Sequence, residues 1–347
     1  MHTSAGTLPP VTIVVEWENA LDVEDVWTHR AMQAFGAELE RCRDRMSARP
    51  RIMYLYDRNR VSESLIRGTI DKVAPGIAEL GDLELVPTPG LTYYKLKNYG
   101  VARTTTDLVI MLDSDAAPQP GWLPGVLAPF ADPEVMAVGG FTVLGHNNLL
   151  SRVMALIWIF HLRSEREKTK GRKKINANNC AFRTAFFKAN PWPDLPAFKK
   201  QCGFWLRDIE KRGIRWVRTV DAMTVHGPHP GIKFLTWRAW TAGLDRDFQA
   251  CQTVTPTRFG RLGFALRFWL RKSMRATQRI ITKGHEVDLP PWQIPAALAL
   301  AYFYHTVLLA GELWGALTRR YAVLTDLREV ARELTPLPES HARSVRA

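Results

Sequence analysis

Short apolar runs that break off into acidic or turn-forming residues recur along the first third of the chain. Residues 11–15 (VTIVV) lead into Glu16, Trp17, Glu18 and Asn19; residues 51–56 into Asp57 and Asn59; residues 83–86 into Pro87, Pro89 and Gly90. The most apolar of these runs, residues 108–112, ends in Asp113, Ser114 and Asp115, so that 108–115 reads LVIMLDSD. Bounded runs of this length predict strands buried on both faces, as in a mostly parallel sheet. The intervening stretches 27–46, 62–77 and 94–106 place charges at helical spacing and predict helices that cover such a sheet. Strands alternating with helices imply right-handed βαβ units, hence an α/β fold with a mostly parallel central sheet flanked by helices. Carboxylates at the ends of these strands then gather at the C-terminal edge, where open α/β sheets bind ligands.

Further on, a strand is expected from about 135 to Phe141, closed by Gly139 and Gly140, and 147–160 is a mostly apolar helix. Residues 163–174 hold seven basic and two acidic residues, a solvated run or a gate over a phosphate-bearing ligand. A helix is expected over 206–213, a strand over 214–220, and His226 follows. Charge sharpens the picture: 47 basic against 34 acidic residues give +13, which favours anionic partners. The four cysteines lack CxxC spacing, so no zinc site or disulfide framework is indicated, and residues 1–10 lack the apolar run of a signal peptide.

Two carboxylates one residue apart in a loop, Asp113 and Asp115, can both turn toward a hard divalent ion such as Mg²⁺ or Mn²⁺ that bridges two phosphates. A carboxylate at a neighbouring strand tip, Glu16 or Asp57, can hydrogen-bond a base or ribose. VTIVVEWEN, YLYD, KNYG and VIMLDSD, in this order and spacing, resemble glycosyltransferase family 2 with the A-type fold over the first 230 or so positions. The resemblance implies a nucleotide diphosphate sugar donor, with Asp57 at the nucleobase, Asp113 at the ribose or metal, and Asp115 at the metal. It also implies Lys97, Asn98 and Glu16 near the donor, Asn179 and Arg183 lining the acceptor side, His226 completing the metal shell, and Arg238 behind the diphosphate.

The resemblance breaks at the expected Glu-Asp pair twelve residues before Gly213, where Gln201 and Cys202 stand. A positioned carboxylate base typically contributes ~10²- to 10⁴-fold, which neither residue supplies near neutral pH. Asp208 and Glu210 on the following helix are the alternative candidates for the base. Residues 258–283 carry eight basic residues and no acid, with Arg267, Arg271, Arg275 and Arg279 in one helical stripe, the pattern of a helix in an anionic membrane interface. Residues 292–317 are nearly continuous apolar, long enough to cross a bilayer, yet contain His305 and Glu312. The expected organisation is a transferase domain over 1–250, membrane-associating helices over 251–320 and a charged helix and tail over 321–347. The expected activity is metal-dependent transfer of a hexose to a hydroxyl acceptor, lipid-linked or polysaccharide, at the cytoplasmic face of a membrane in envelope glycan or glycolipid synthesis. The alternatives are a glycan-binding protein without the base, or a nucleotidyltransferase; nucleic acid is not an expected partner.

Overall fold

The computed structural model describes residues 7–167, 174–195, 199–255 and 257–319. The expected tail over 321–347, and residues 168–173 of the basic run over 163–174, lie outside these residues. Of the described residues, those in Met1–Asn147, Trp158–Asp194 and Gln201–Pro228 form one compact unit, and those in Asn148–Ile157, Leu195–Lys200 and His229–Ala347 form another.

The first unit holds a single eight-stranded sheet. Its strands are β1 (Val11–Glu16), β2 (Arg51–Asp57), β3 (Asp82–Thr88), β4 (Leu108–Asp113), β5 (Ala116–Pro118), β6 (Ala137–Leu144), β7 (Asn179–Arg183) and β8 (Trp216–His226). They lie in the order β3-β2-β1-β4-β7-β6-β8-β5. The half built from β1 to β4 is parallel, as expected from the βαβ pattern. Beyond β4 the sheet is mixed, because β7 runs antiparallel to both β4 and β6, and β5 antiparallel to β8. Side-chain alternation is the same whichever way a strand runs, so periodicity alone cannot tell parallel from antiparallel pairing.

Helices cover both faces. Alternation along β1 and β4 sends Ile13, Val15, Ile110 and Leu112 to one face, against α1 (Asp25–Cys42), α2 (Glu63–Val73), α3 (Gly76–Leu80) and α5 (Trp122–Leu127). Val14, Val109 and Met111 go to the other, against α4 (Tyr93–Ala102), α7 (Thr184–Ala189) and α8 (Gln201–Lys211). The stretch 62–77, read as one helix, is two: Pro75 cannot donate to the ladder, and α2 ends before it with Ala74 as its cap. Strand β6 runs three residues past Phe141, because its glycines serve close packing. A Cβ on Gly140 would overlap the carboxamide of Asn179.

The second unit is helical: α6 (Leu149–Ile157), α9 (Ile232–Thr253), α10 (Arg258–Lys283) and α11 (Ile294–Thr318). Helix α9 therefore groups with the C-terminal helices. Backbones of α9 and α11 approach closely, since a Cβ on Gly243 would strike the Leu308 carbonyl and one on Gly311 the Trp240 carbonyl.

Candidate metal centre

Sheet register assembles the site. Strands β1 and β4 pair with Glu16 beside Asp113. Strand β5 starts directly after Asp115 and sets Ala116 opposite His226, and the Gly227 N–H donates to the Asp115 carbonyl at 2.8 Å. One ligand atom from each of Asp113, Asp115 and His226 lies within 4.8 Å of the others, and all three residues are buried. His226 Nδ1 is 3.2 Å from Asp115 Oδ2 and 2.8 Å from the Gly227 carbonyl; Nε2 is 3.7 Å from Asp113 Oδ2. Two carboxylates and an imidazole suit a divalent ion of the Mn²⁺ or Mg²⁺ type, the imidazole weighting the set toward Mn²⁺. A contact from Nδ1–H to the Gly227 carbonyl fixes the tautomer that leaves Nε2 as the ligand atom.

Asp113 is held by three donors. Lys97 Nζ lies 2.6 Å from Oδ1, the Tyr93 hydroxyl donates at 2.8 Å, and Asn19 Nδ2 donates to Oδ2 at 2.7 Å. Lys97 also donates to the Ala177 carbonyl at 2.9 Å and lies 4.8 Å from the Tyr93 ring centroid. Burial alone would pull the Lys97 ammonium down, but Asp113 and Glu16 outweigh it and hold it above its usual value. The reverse applies to Glu16, whose carboxyl is pushed well above the carboxylate range, first by burial and then by Asp113. For His226, burial works downward, while Asp115 and Asp113 prevail and raise it, so the imidazolium is favoured until a metal replaces its proton.

Asn178 joins this cluster unforeseen. Its carbonyl accepts the Asp113 N–H at 3.2 Å, and as the residue before β7 it shares the Asp113 face of the sheet. Although Asn178 is only 5% exposed, neither its Oδ1 nor its Nδ2 has a hydrogen-bond partner among the described residues. Its neighbour Asn179, expected on the acceptor side, points the other way. It accepts from the Trp122 indole at 2.9 Å and donates to the Ala222 carbonyl at 2.9 Å, a core clamp. The signal for Tyr93 was its position one turn before Lys97; the signal for Asn178 was the alternation 178, 180, 182 along the strand.

Other expected residues are placed as follows. Asp57 ends β2, two strands from β4 and so roughly 10 Å away by ordinary strand spacing. It accepts from the Asn59 N–H at 2.9 Å and is half-buried beside Gly90. Lys97 serves Asp113 rather than standing ready for a phosphate. Asn98 brackets the Trp192 backbone, donating to its carbonyl at 2.9 Å and accepting from its N–H at 3.1 Å. Arg183 donates to the carbonyls of Val135, Phe130 and Asp132, so its fork braces the loop before β6. Asp208 is exposed and pairs with Arg212, and Glu210 accepts from the Trp216 indole at 3.3 Å. Neither joins the residues around Asp113. The Cys202 thiol lies 3.3 Å from the Tyr94 hydroxyl. Arg238 is buried on α9 of the second unit.

Residues 75–191 match the model of glycosyl transferase family 2. No curated protein matches the chain. Among solved structures, it is similar to a mannosyltransferase, PcManGT from Pyrobaculum calidifontis, in complex with GDP-mannose and Mn²⁺. The similarity has a TM-score of 0.53 and 17% identity and covers 89% of this chain and 88% of that one. Glucosyl-3-phosphoglycerate synthase from Mycobacterium tuberculosis matches with a TM-score of 0.46 and 13% identity over 72% of this chain and 81% of that one. Mannosyl-3-phosphoglycerate synthase from Rubrobacter xylanophilus matches with a TM-score of 0.42 and 15% identity over 70% and 74%. The first of these shows that the A-type fold expected from the sequence is present.

Proposed function

We propose that this chain, whose residues 75–191 match the glycosyl transferase family 2 model, transfers a hexose from a nucleotide diphosphate sugar to a hydroxyl acceptor. The observation that carries this reading is the convergence of Asp113, Asp115 and His226 within 4.8 Å at the strand ends. These three residues would hold the Mn²⁺ or Mg²⁺. When bound, the ion supplies charge neutralisation for the departing diphosphate. Lys97, Tyr93 and Asn19 fix the Asp113 carboxylate without reorganisation during the reaction. In this reading Asp57, at the tip of β2, would hydrogen-bond the nucleobase, and Glu16 the ribose. Asn178 offers a carboxamide beside Asp113 for a donor hydroxyl or phosphate oxygen.

The neighbouring structures bind GDP-mannose or UDP and glucosyl-3-phosphoglycerate with Mn²⁺, which directs the search for a donor. Membrane-linked synthesis of a glycan or glycolipid at the cytoplasmic face is part of the proposal, supported by one helix of the second unit that is apolar enough to cross a bilayer. The test is sugar release from UDP- and GDP-hexoses with Mn²⁺, Mg²⁺ or chelator. Metal-dependent release that Asp115→Asn lowers at least ~10²-fold is the expected result. Release that is indifferent to chelator or to that substitution would refute the reading.

A further inference from the structure

The second unit is built with its polarity reversed. Helix α11 buries His305 and Glu312 on the side packed against its neighbours, while its Phe303 and Trp314, and Trp292 just before it, are exposed. Helix α10 likewise exposes Leu266, Leu270 and Met274, which lie in one ridge at spacings of four. The two helices are antiparallel: Arg261 on α10 donates to the Ala316 carbonyl at one end, and Thr277 meets the Tyr302 hydroxyl at 3.1 Å at the other. That second contact sits on the exposed side, where it joins the ridge of α10 to the apolar face of α11. An apolar surface of this extent on the outside of a folded unit calls for a covering.

Charge identifies the covering. Arg267, Arg271 and Arg275 are exposed in a row beside the α10 ridge. Cations are so crowded that the Lys272 ammonium is pushed down to about 8, first by burial and then by Arg275, Arg246, Arg271 and Arg279. An apolar ridge edged by arginines that have no carboxylate partner among the described residues matches an anionic lipid surface, with acyl chains under the ridge and headgroups at the guanidinium row.

The same contacts decide how α11 meets lipid. By length and composition α11 could cross a bilayer. It is, however, fastened to helices that could not. Glu312 pairs with Arg246 of α9 at 3.2 Å, and Arg261 pairs with Asp247 of α9 at 2.7 Å while holding the α11 backbone. A crossing by α11 would carry the arginine row of α10 into hydrocarbon, where each charge is costly. We infer that α10 and α11 dock side by side in the plane of an anionic membrane leaflet without crossing it. This rests on the membrane-linked part of the proposed function and adds the surface, the lipid chemistry and the depth.

The test uses the full chain and sealed vesicles of phosphatidylcholine with or without phosphatidylglycerol, read by co-sedimentation at low and high salt. Binding is expected on the anionic vesicles, weakened by salt. Replacing Arg267, Arg271 and Arg275 together by Ala should weaken it about 10²-fold and abolish the lipid preference. The pair Leu270→Glu and Met274→Glu should weaken it at least about tenfold. Alkaline carbonate should release the bound protein, and external protease should leave no protected fragment spanning 291–318. Equal binding to both vesicles, or ridge variants that bind like the parent, would overturn the docking surface, and a protected fragment would overturn the in-plane mode. A lipid-free dimer dissolved by the ridge variants would show a second copy to be the occupant instead. Metal-dependent sugar release measured without lipid on the parent chain separates the two claims: release by a chain that does not dock on anionic vesicles removes the membrane surface alone from the account, and docking without release removes the transferase alone.

Discussion

Asp113 is surrounded before any ligand arrives, and this predicts how its neighbours respond to substitution. Lys97 is fully buried against it, so Lys97→Met strands a buried carboxylate; breaking such a pair is expected to cost about 3–5 kcal/mol, measured by denaturant unfolding. A loss under about 1 kcal/mol would mean the pair is not the anchor described. Asp115 lies 3.2 Å from His226 Nδ1 and belongs to the group that could hold the metal. Asp115→Ala is therefore expected to keep the fold but erase the Mn²⁺-dependent rise in melting temperature with UDP or GDP, and an undiminished rise counts against the site. The proton on His226 gives a pH signature. Its value in the folded chain is raised, with Asp115 and Asp113 overcoming burial. Without metal, the stability gained from the imidazolium is complete below the ordinary value of 6.5 and fades as pH climbs through the raised one. Metal displaces that proton, so the melting-temperature increment produced by Mn²⁺ should grow across the same interval. An increment that stays flat as pH rises from below 6.5 contradicts it.

At the scale of elements, much of the site was written in strand ends, because a buried strand has few ways to finish and its terminal acids must share one edge. Glu16, Asp113 and Asp115 were legible for that reason, as was His226 from its place after the last strand. Direction and face were harder to read. The segment that forms β7 holds only Cys180, Ala181 and Phe182 between two polar residues and does not read as a strand, so the one-residue phase that separates Asn178 from Asn179 is missed with it. Asn98, Arg183 and Lys97 carry side chains that suit a phosphate or sugar equally well as a backbone carbonyl or a carboxylate; only packing decides, and in this chain it gives them to the scaffold. The phase of β7 can be tested directly. Asn179→Ala leaves the Trp122 indole N–H buried without its acceptor and should cost about 1–3 kcal/mol of stability with little specific effect on turnover. Asn178→Ala removes no internal hydrogen bond of its side chain, so stability should hold while sugar release falls. Reversed outcomes for the two asparagines would mean that the strand is out of register.

The whole molecule divides its charge between two tasks. In the first unit one buried lysine serves a cluster of carboxylates; in the second a row of arginines borders exposed apolar ridges. The net +13 could be counted from the sequence, but its distribution required the packing of α9, whose charged residues pair with α10 and α11. That pairing joins α9 to α10 and α11 in the second unit. The central claim remains the cation between strand ends, and anomalous diffraction at the manganese edge from crystals grown with MnCl₂ and GDP or UDP tests it most directly. A peak at coordination distance from carboxylate oxygens of Asp113 and Asp115 and from His226 Nε2, touching the nucleotide's diphosphate, is the predicted result. Bound nucleotide with no peak there, or with manganese held by other residues, would contradict it.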